Sequence, residues 1–387
     1  MSESECKPDA KRKRGSAQPQ DRAQPPIKMS FALRVPQEVH FGRGEVRKLP
    51  EIVARFGRRA FVVTGSRPAP VALGDAIRWS VHGEPEIGTA DEGTRLCRES
   101  GCDVVVAIGG GSVLDTAKAA AALAPNGGEA LDYLEGVGRG RVLERPSLPF
   151  IAVPTTAGSG SEATRNAVLR VPDLHVKRSL RSEFMVPRVA LIDPELSESC
   201  PLPVAASAGL DALTHLIEGY VSIGAQPTTD ALALKGITLA ARGLVGLSRG
   251  KPDVEAMSLA SFWGGIVLAN AGLGAVHGLV APLGGRFEVP HGMGCACLLT
   301  ATMRTNISAL RERAPDSPAL LRYEEILREV PDLDLLRSDL GVPSLGAFGL
   351  SADQFSAVIA GSRAGSMNFN PITLTDSELE EILADSI

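Results

Sequence analysis

The first half of the chain alternates short, unbroken apolar runs with turns rich in glycine or hydroxyl residues. Arg59–Gly65 carries Phe61-Val62-Val63 into a turn, Asp103–Ile108 is a clear apolar run, and Phe150–Val153 and Val189–Ile192 repeat the pattern. Such runs predict strands buried on both faces, as in a parallel sheet. Ile77–His82 is a further candidate strand. The run ending at Ile108 leads into Gly109-Gly110-Gly111-Ser112 and then an alanine-rich stretch, Val113 to Leu123, that reads as a helix. A strand, a glycine turn and a helix in succession predict an α/β layer. From Pro203 onward the apolar spacing is helical, in long Ala/Leu-rich segments with no convincing strand. The pattern predicts an α/β N-terminal domain over 29–195 and an all-α C-terminal domain over 196–387. Residues 1–28 are polar, Pro/Gln-rich and basic, and are expected to be a disordered extension. Their Lys11–Arg14 run fits a nuclear-localisation signal, and the whole segment fits equally an extension ahead of a start at Met29.

Composition narrows the class. A chain of 387 residues, 44% hydrophobic, can bury a sizeable core in two domains or one large one. The formal net charge of −5 does not indicate a nucleic-acid surface. No apolar run in the sequence has the length expected of a membrane span, and the N-terminus lacks a signal-peptide core. The six cysteines suggest no disulfide framework, so a reducing, cytoplasmic compartment is expected. Cys295-Ala296-Cys297 invites a metal reading, yet it lies in an apolar run and reads better as buried small hydrophobes.

The candidate chemistry concentrates between Gly209 and His291. Asp211 and His215 are four apart in a segment apolar at helical spacing, which puts a carboxylate and an imidazole on one face. His277 and His291, each followed by glycine, can complete an Asp/His₃ set for a divalent cation. Such a set leaves the ion net positive and able to act on a carbonyl or alcohol. Taken singly, each residue fits a hydrogen-bonded structural role as well. The Gly109–Ser112 turn opens a helix where backbone N–H groups can approach a pyrophosphate. Ser112 and Asp115 fit a capping box that would hold this helix start. A plain glycine turn accounts for the same residues. The loop from Thr155 to Glu162 again follows a strand, and could either bind a nicotinamide or ribose or simply cap the chain. Two such loops at the ends of neighbouring strands are where open α/β sheets bind nucleotides.

Taken together these motifs resemble the iron-containing (group III) alcohol dehydrogenase superfamily. The matching residues are Gly109-Gly110-Gly111-Ser112 with Asp115 and Lys118, Pro154-Thr155-Thr156 through Glu162, Asp193-Pro194-Glu195-Leu196, Gly209-x-Asp211-Ala212-x-x-His215, His277-Gly278 and Pro290-His291-Gly292. Asn370-Pro371 with Leu374-Thr375 more loosely resembles the maleylacetate reductase-like branch. The resemblance implies a dehydroquinate synthase-like architecture: an N-terminal dinucleotide-binding α/β domain, a helical metal and substrate domain, and a cleft between. It implies NAD or NADP held by Gly109, Gly110, Gly111, Ser112, Asp115, Thr155, Thr156 and Lys177. It implies Fe(II), or Zn(II) or another divalent cation, on Asp211, His215, His277 and His291. The expected activity is hydride transfer between the nicotinamide and an alcohol, aldehyde or ketone held by the metal, with no catalytic residue beyond the ligands. A homodimer or higher homo-oligomer is expected, with no nucleic-acid or membrane partner.

Three departures stand out. Ala281 occupies the position where many members carry a proton-relay histidine, so water, a coenzyme ribose hydroxyl or the substrate must serve. Gly65 with Ser66 and Arg67 replaces the acidic strand end of NAD-preferring members, and Arg67 fits either a 2′-phosphate partner or a surface arginine. The segment from Gly65 to Gly83 is short for the family. Arg286 fits either an anionic substrate group or a rim ion pair, while Phe262, Trp263 and Phe287 fit either a substrate wall or the core. Two other readings remain: a metal-dependent NAD-using lyase or synthase of the same fold, and a degenerate, non-catalytic homologue.

Overall fold

The computed structural model describes residue 1 and residues 30–287 and 289–387. Apart from Met1, the expected disordered extension, its Lys11–Arg14 run, Cys6 and Met29 lie outside the described residues.

The apolar runs form one parallel sheet because both of their faces find a helical cover. The strands are β1 (Glu38–Phe41), β2 (Ala60–Thr64), β3 (Ile77–Ser80), β4 (Val104–Gly109) and β5 (Phe150–Pro154), followed by β6 (Asn166–Val171), β7 (Val176–Arg181) and β8 (Val189–Ile192). The sheet runs β1-β8-β5-β4-β2-β3, all parallel, while β6 and β7 form a separate antiparallel hairpin. The alternation within each strand sorts its side chains. Val104, Val106 and Ile108 join Val62, Ile151 and Val153 on the face covered by α1 (Leu49–Phe56), through Leu49, Ile52 and Val53. Val105 and Ala107 join Phe61, Val63 and Ala152 on the other face. There they pack on α3 (Gly111–Leu123), with α2 (Ile87–Glu99) supplying Cys97.

The helices α1 and α2 and the strands β1, β6 and β7 escaped the sequence pattern. β1 is a four-residue edge strand whose Val39 and Phe41 are partly exposed, so it carries no buried run. The hairpin β6–β7 buries only alternate residues of β6, and its turn passes through His175 at φ 51°. The crossover from β2 to β3, residues 65–76, contains no helix. Ala69, Val71, Leu73 and Ala76 in that stretch are partly buried against the sheet face that α1 also covers.

Beyond β8 the described chain is helical. The helices are α4 (Leu202–Val221), α5 (Pro227–Ser248), α6 (Val254–Ala271), α7 (Ala275–Arg286) and α8 (His291–Arg313), then α9 (Pro318–Glu329), α10 (Leu333–Asp339), α11 (Phe355–Ser362) and α12 (Asp376–Ala384). α4 is the central rod of this layer, buried from Gly209 to Val221 and packed against α5, α6, α8 and α9. Contrary to the sequence expectation, α5 and α6 are long and apolar enough for a membrane span by length and composition. Both pack on α4 and on each other, and their apolar faces belong to the common core.

Candidate metal centre

α4 brings three acidic or imidazole side chains onto one stripe. Asp211, His215 and Glu218 stand at i, i+4 and i+7 and are all buried. α7 delivers His277 in its first turn and α8 delivers His291 as its first residue. Glycine makes those approaches possible. A Cβ on Gly292 would lie 2.3 Å from the Ser207 carbonyl oxygen of α4, and one on Gly278 would lie 2.8 Å from Met367 Cε. The two glycines beside the sequence-predicted histidines therefore serve close packing.

The ligand atoms of Asp211, His215, His277 and His291 all lie within 4.8 Å of one another. Asp211 Oδ1 faces the Nε2 atoms of His215, His277 and His291 at 3.6, 3.5 and 3.8 Å. These separations are too long for good hydrogen bonds. They approach the edge of a tetrahedron with metal–ligand bonds of about 2.1 Å. Asp211 Oδ1 is also buried with no hydrogen-bond partner, which is costly unless a cation answers it. The residues thus fit a divalent ion. Three of the four protonation states agree, those of Asp211, His215 and His291. At His277 burial acts to lower the imidazole, but Cys295, Asp211 and Glu218 outweigh it and hold it well above its usual range, so this ring must release a proton to a cation. Burial alone would raise the Asp211 carboxyl, but the surrounding imidazoles outweigh it and hold the group well below the usual carboxylate range. Burial pulls His215 down to about 3, which keeps it a neutral donor. His291, with its side chain 44% exposed, forms the open edge of the cage.

The coenzyme candidates meet at the carboxyl ends of β4 and β5. Thr155 N–H donates to the Gly109 carbonyl oxygen at 2.9 Å. A Cβ on Gly110 would touch Thr156 Oγ1 at 3.3 Å, and one on Gly111 would touch Ser159 at 2.9 Å. The glycine turn and the threonine loop are therefore one surface. The capping box expected of Ser112 and Asp115 does not form. Gly110 is the N-cap of α3, no side chain caps it, and the first-turn amides are left for an external acceptor. Asp115 instead accepts from Ser161 Oγ at 2.6 Å and Val168 N–H at 2.9 Å, which ties α3 to the threonine loop and β6. Lys118, fully buried one turn further on, donates to Ser161 and Thr164 oxygens and to the Asn166 carbonyl.

This loop also abuts α4, which carries Asp211 and His215, and α6. A Cβ on Gly158 would lie 2.7 Å from Ala208 Cα of α4, and one on Gly160 would lie 2.4 Å from Gly265 Cα of α6. Gly160 adopts φ +62°, open to glycine at little cost.

Lys177 is ion-paired with Glu84 at 2.8 Å, and its Nζ would sit 3.3 Å from a Cβ on Gly284 of α7. Arg67 donates to the carbonyl and hydroxyl of Ser199, so its guanidinium already has partners. Arg286 is exposed in the last turn of α7. Phe262 is core, packed with Ala163, Ala190, Ile192 and Ile266, and Trp263 and Phe287 pack partly buried against the cores. Cys295 and Cys297 are buried, as the sequence indicated, but Cys295 Sγ also reaches His277 Nε2 at 3.6 Å. Burial pushes that thiol up to about 12 and keeps it protonated. Glu218 was missed in the sequence. An acidic residue on the Asp211–His215 stripe of an otherwise apolar helix was the available signal.

Comparison with known proteins identifies the family. A family model described as "Iron-containing alcohol dehydrogenase" matches residues 36–194, and one for the "Fe-containing alcohol dehydrogenase family, C-terminal" matches residues 205–387. Long-chain-alcohol dehydrogenase 1 of Geobacillus thermodenitrificans is 36% identical over 349 residues, covering 83% of this chain and 88% of that protein. The structure of an alcohol dehydrogenase from Oenococcus oeni superposes with a TM-score of 0.82 at 27% identity, over 92% of this chain and 100% of that one. Sulfoacetaldehyde reductase from Bifidobacterium kashiwanohense, solved in complex with NAD+, gives 0.80 at 26% identity, over 92% and 99%. Matched along nearly all of its described length, the chain belongs to the iron-containing alcohol dehydrogenase family.

Proposed function

We propose that Asp211, His215, His277 and His291 hold a divalent cation and that the glycine and threonine loops hold a nicotinamide coenzyme. The protein is then a metal-dependent NAD(P)-linked alcohol dehydrogenase or carbonyl reductase. The observation that supports this best is the orphaned Asp211 Oδ1, ringed by three imidazoles beside the loop that follows β5. When bound, the cation supplies a Lewis acid and the coenzyme supplies or accepts the hydride.

The chain's own part is to bind, orient and exclude. Asp211 stays ionised and His215 neutral, so both are ready as donors. The uncapped amides at the start of α3 offer an anion site for a pyrophosphate, with Gly109, Gly110, Gly111 and Ser112 around it. Thr155 and Thr156 flank that site, while Asp115 acts from behind as an anchor for the loop. Lys177 lines the same cleft with Glu84 as its partner. Ala281 offers no proton, and the exposed edge of His291 marks the side from which water can exchange one.

Iron is the reading the family description favours. An N/O donor set also accepts Zn(II). NAD fits better than NADP, because Arg67 is engaged by Ser199. The same proposal includes a domain boundary near residue 195 and a homodimer or larger assembly. It also includes a cytoplasmic location, consistent with five unpaired cysteines among the described residues. The test is NADH and NADPH oxidation by Fe(II)-loaded protein against a panel of aldehydes and keto acids, with His277→Ala as control. Metal-dependent turnover that disappears in the control is expected. Turnover that survives chelation and the substitution would refute the proposal.

A further inference from the structure

One buried side chain at the centre does not belong to the four candidate ligands. Glu218 is 4% exposed, on the same stripe of α4 as Asp211 and His215, one turn further from the sheet-side loops. Its Oε2 accepts from His277 Nδ1 at 2.7 Å. Its Oε1 accepts from Val276 N–H at 2.7 Å, and Oε2 is also 3.4 Å from His277 N. One carboxylate therefore holds both the ring of His277 and the backbone amides that open α7.

We propose that Glu218 is the positioning residue of the metal centre, locking His277 with Nδ1 protonated so that Nε2 presents its lone pair to the cation. An imidazole has two nitrogens, and either can carry the proton when the ring is neutral. A buried carboxylate at one nitrogen removes the choice, because an Nδ1 without a proton would leave two acceptors in contact. It also fixes the rotation of the ring, because the two amide bonds of the same carboxylate hold Glu218 itself in place. A negative partner behind the ring raises the basicity of the nitrogen in front. His277 is the only one of the three imidazoles for which a carboxylate partner at the second nitrogen is seen among the described residues.

Capping alone would be a simpler role, and the structure offers a control for it. Asn370 Oδ1 accepts from Ala275 N–H at 3.1 Å, the amide next to those held by Glu218. Asn370 is itself held by Asn306, which also donates to Tyr323 Oη at 3.0 Å. Asn370 thus supports the start of α7 without touching the His277 ring. A residue that only caps should behave like Asn370. A residue that orients a ligand should affect metal binding far more.

The inference rests on the metal reading above, and the experiment separates the two. Apo protein is titrated with Co(II) in competition with a chromophoric chelator, and the visible d–d spectrum of the bound ion is recorded. Wild type, Glu218→Gln, Asn370→Ala and His277→Ala are compared, with far-UV circular dichroism of each apo protein. We expect one Co(II) per wild-type chain, affinity about 10- to 100-fold weaker in Glu218→Gln with altered d–d bands, and less than a threefold change in Asn370→Ala. If wild type binds no Co(II), the metal reading fails and this inference with it. If wild type binds and Glu218→Gln matches it in affinity and spectrum, only this inference fails. Equal losses in Glu218→Gln and Asn370→Ala would reduce Glu218 to a cap. Should Glu218→Gln not fold, Glu218→Asp takes its place with the same outcomes.

Discussion

Glu162 and Lys118 lie behind the glycine and threonine loops, each almost wholly buried, and their titration follows from that. Burial pushes Glu162 up to about 7 and pulls Lys118 down to about 8. Between the ordinary glutamate value of 4.5 and about 7, the folded chain keeps a proton on Glu162 that the unfolded chain has released. The contribution of Glu162 to stability is therefore present in full below that window and is lost as pH rises through it. Glu162→Gln should gain on wild type in thermal midpoint as pH goes from 5 to 8. A constant gap between the two across that range would contradict the assignment. Lys118 behaves differently, because its value lies in its geometry. Lys118→Met leaves the oxygens of Ser161, Thr164 and Asn166 without their shared donor. A loss of about 3 kcal/mol or more in urea unfolding is expected from breaking so buried a network.

At the scale of elements, the threonine loop and α6 meet backbone to backbone. A Cβ on Gly265 would stand 2.3 Å from the Gly160 carbonyl oxygen and 2.8 Å from its Cα, and neither can yield as a flexible side chain would. Gly265→Ala should cost about 1–3 kcal/mol, as overpacking does, and should weaken coenzyme binding measured by NADH fluorescence. Unchanged affinity would mean that the loop tolerates the shift. This contact was not legible in the sequence, because a glycine in an apolar helix gives no sign of what it faces. The strands β2, β4, β5 and β8 were legible because they are buried on both faces and so read as unbroken runs. β1 and the β6–β7 hairpin were not, since one face of each is exposed and short alternation is weak over four to six residues. The Asp211–His215 pair showed through its helical spacing, and His277 and His291 through their glycines. Glu218 stayed hidden because its partner is 59 positions away. Ser112 misled for a related reason: the Ser-x-x-Asp spacing was right for a cap, but Asp115 is drawn off by Ser161 and Val168.

At the scale of the whole molecule, the candidate ligands come from α4, α7 and α8, which only the folded state brings together. A ligand that binds only that state stabilises it by about 2.7 kcal/mol when present at a hundred times its dissociation constant. Apo protein should therefore melt several degrees lower than Zn(II)- or Fe(II)-loaded protein, and the difference should vanish in His277→Ala. A melting point indifferent to metal in the wild type would count against the centre. The same separation bears on biosynthesis. Asp211 precedes His291 by about eighty residues, a stretch that takes about 4 to 16 s to translate. A nascent chain that exposes α4 presents Asp211, His215 and Glu218 alone, and the cage cannot close until α8 has left the ribosome. On the proposed metal reading, capture would be a late event, completed only after most of the protein has been made.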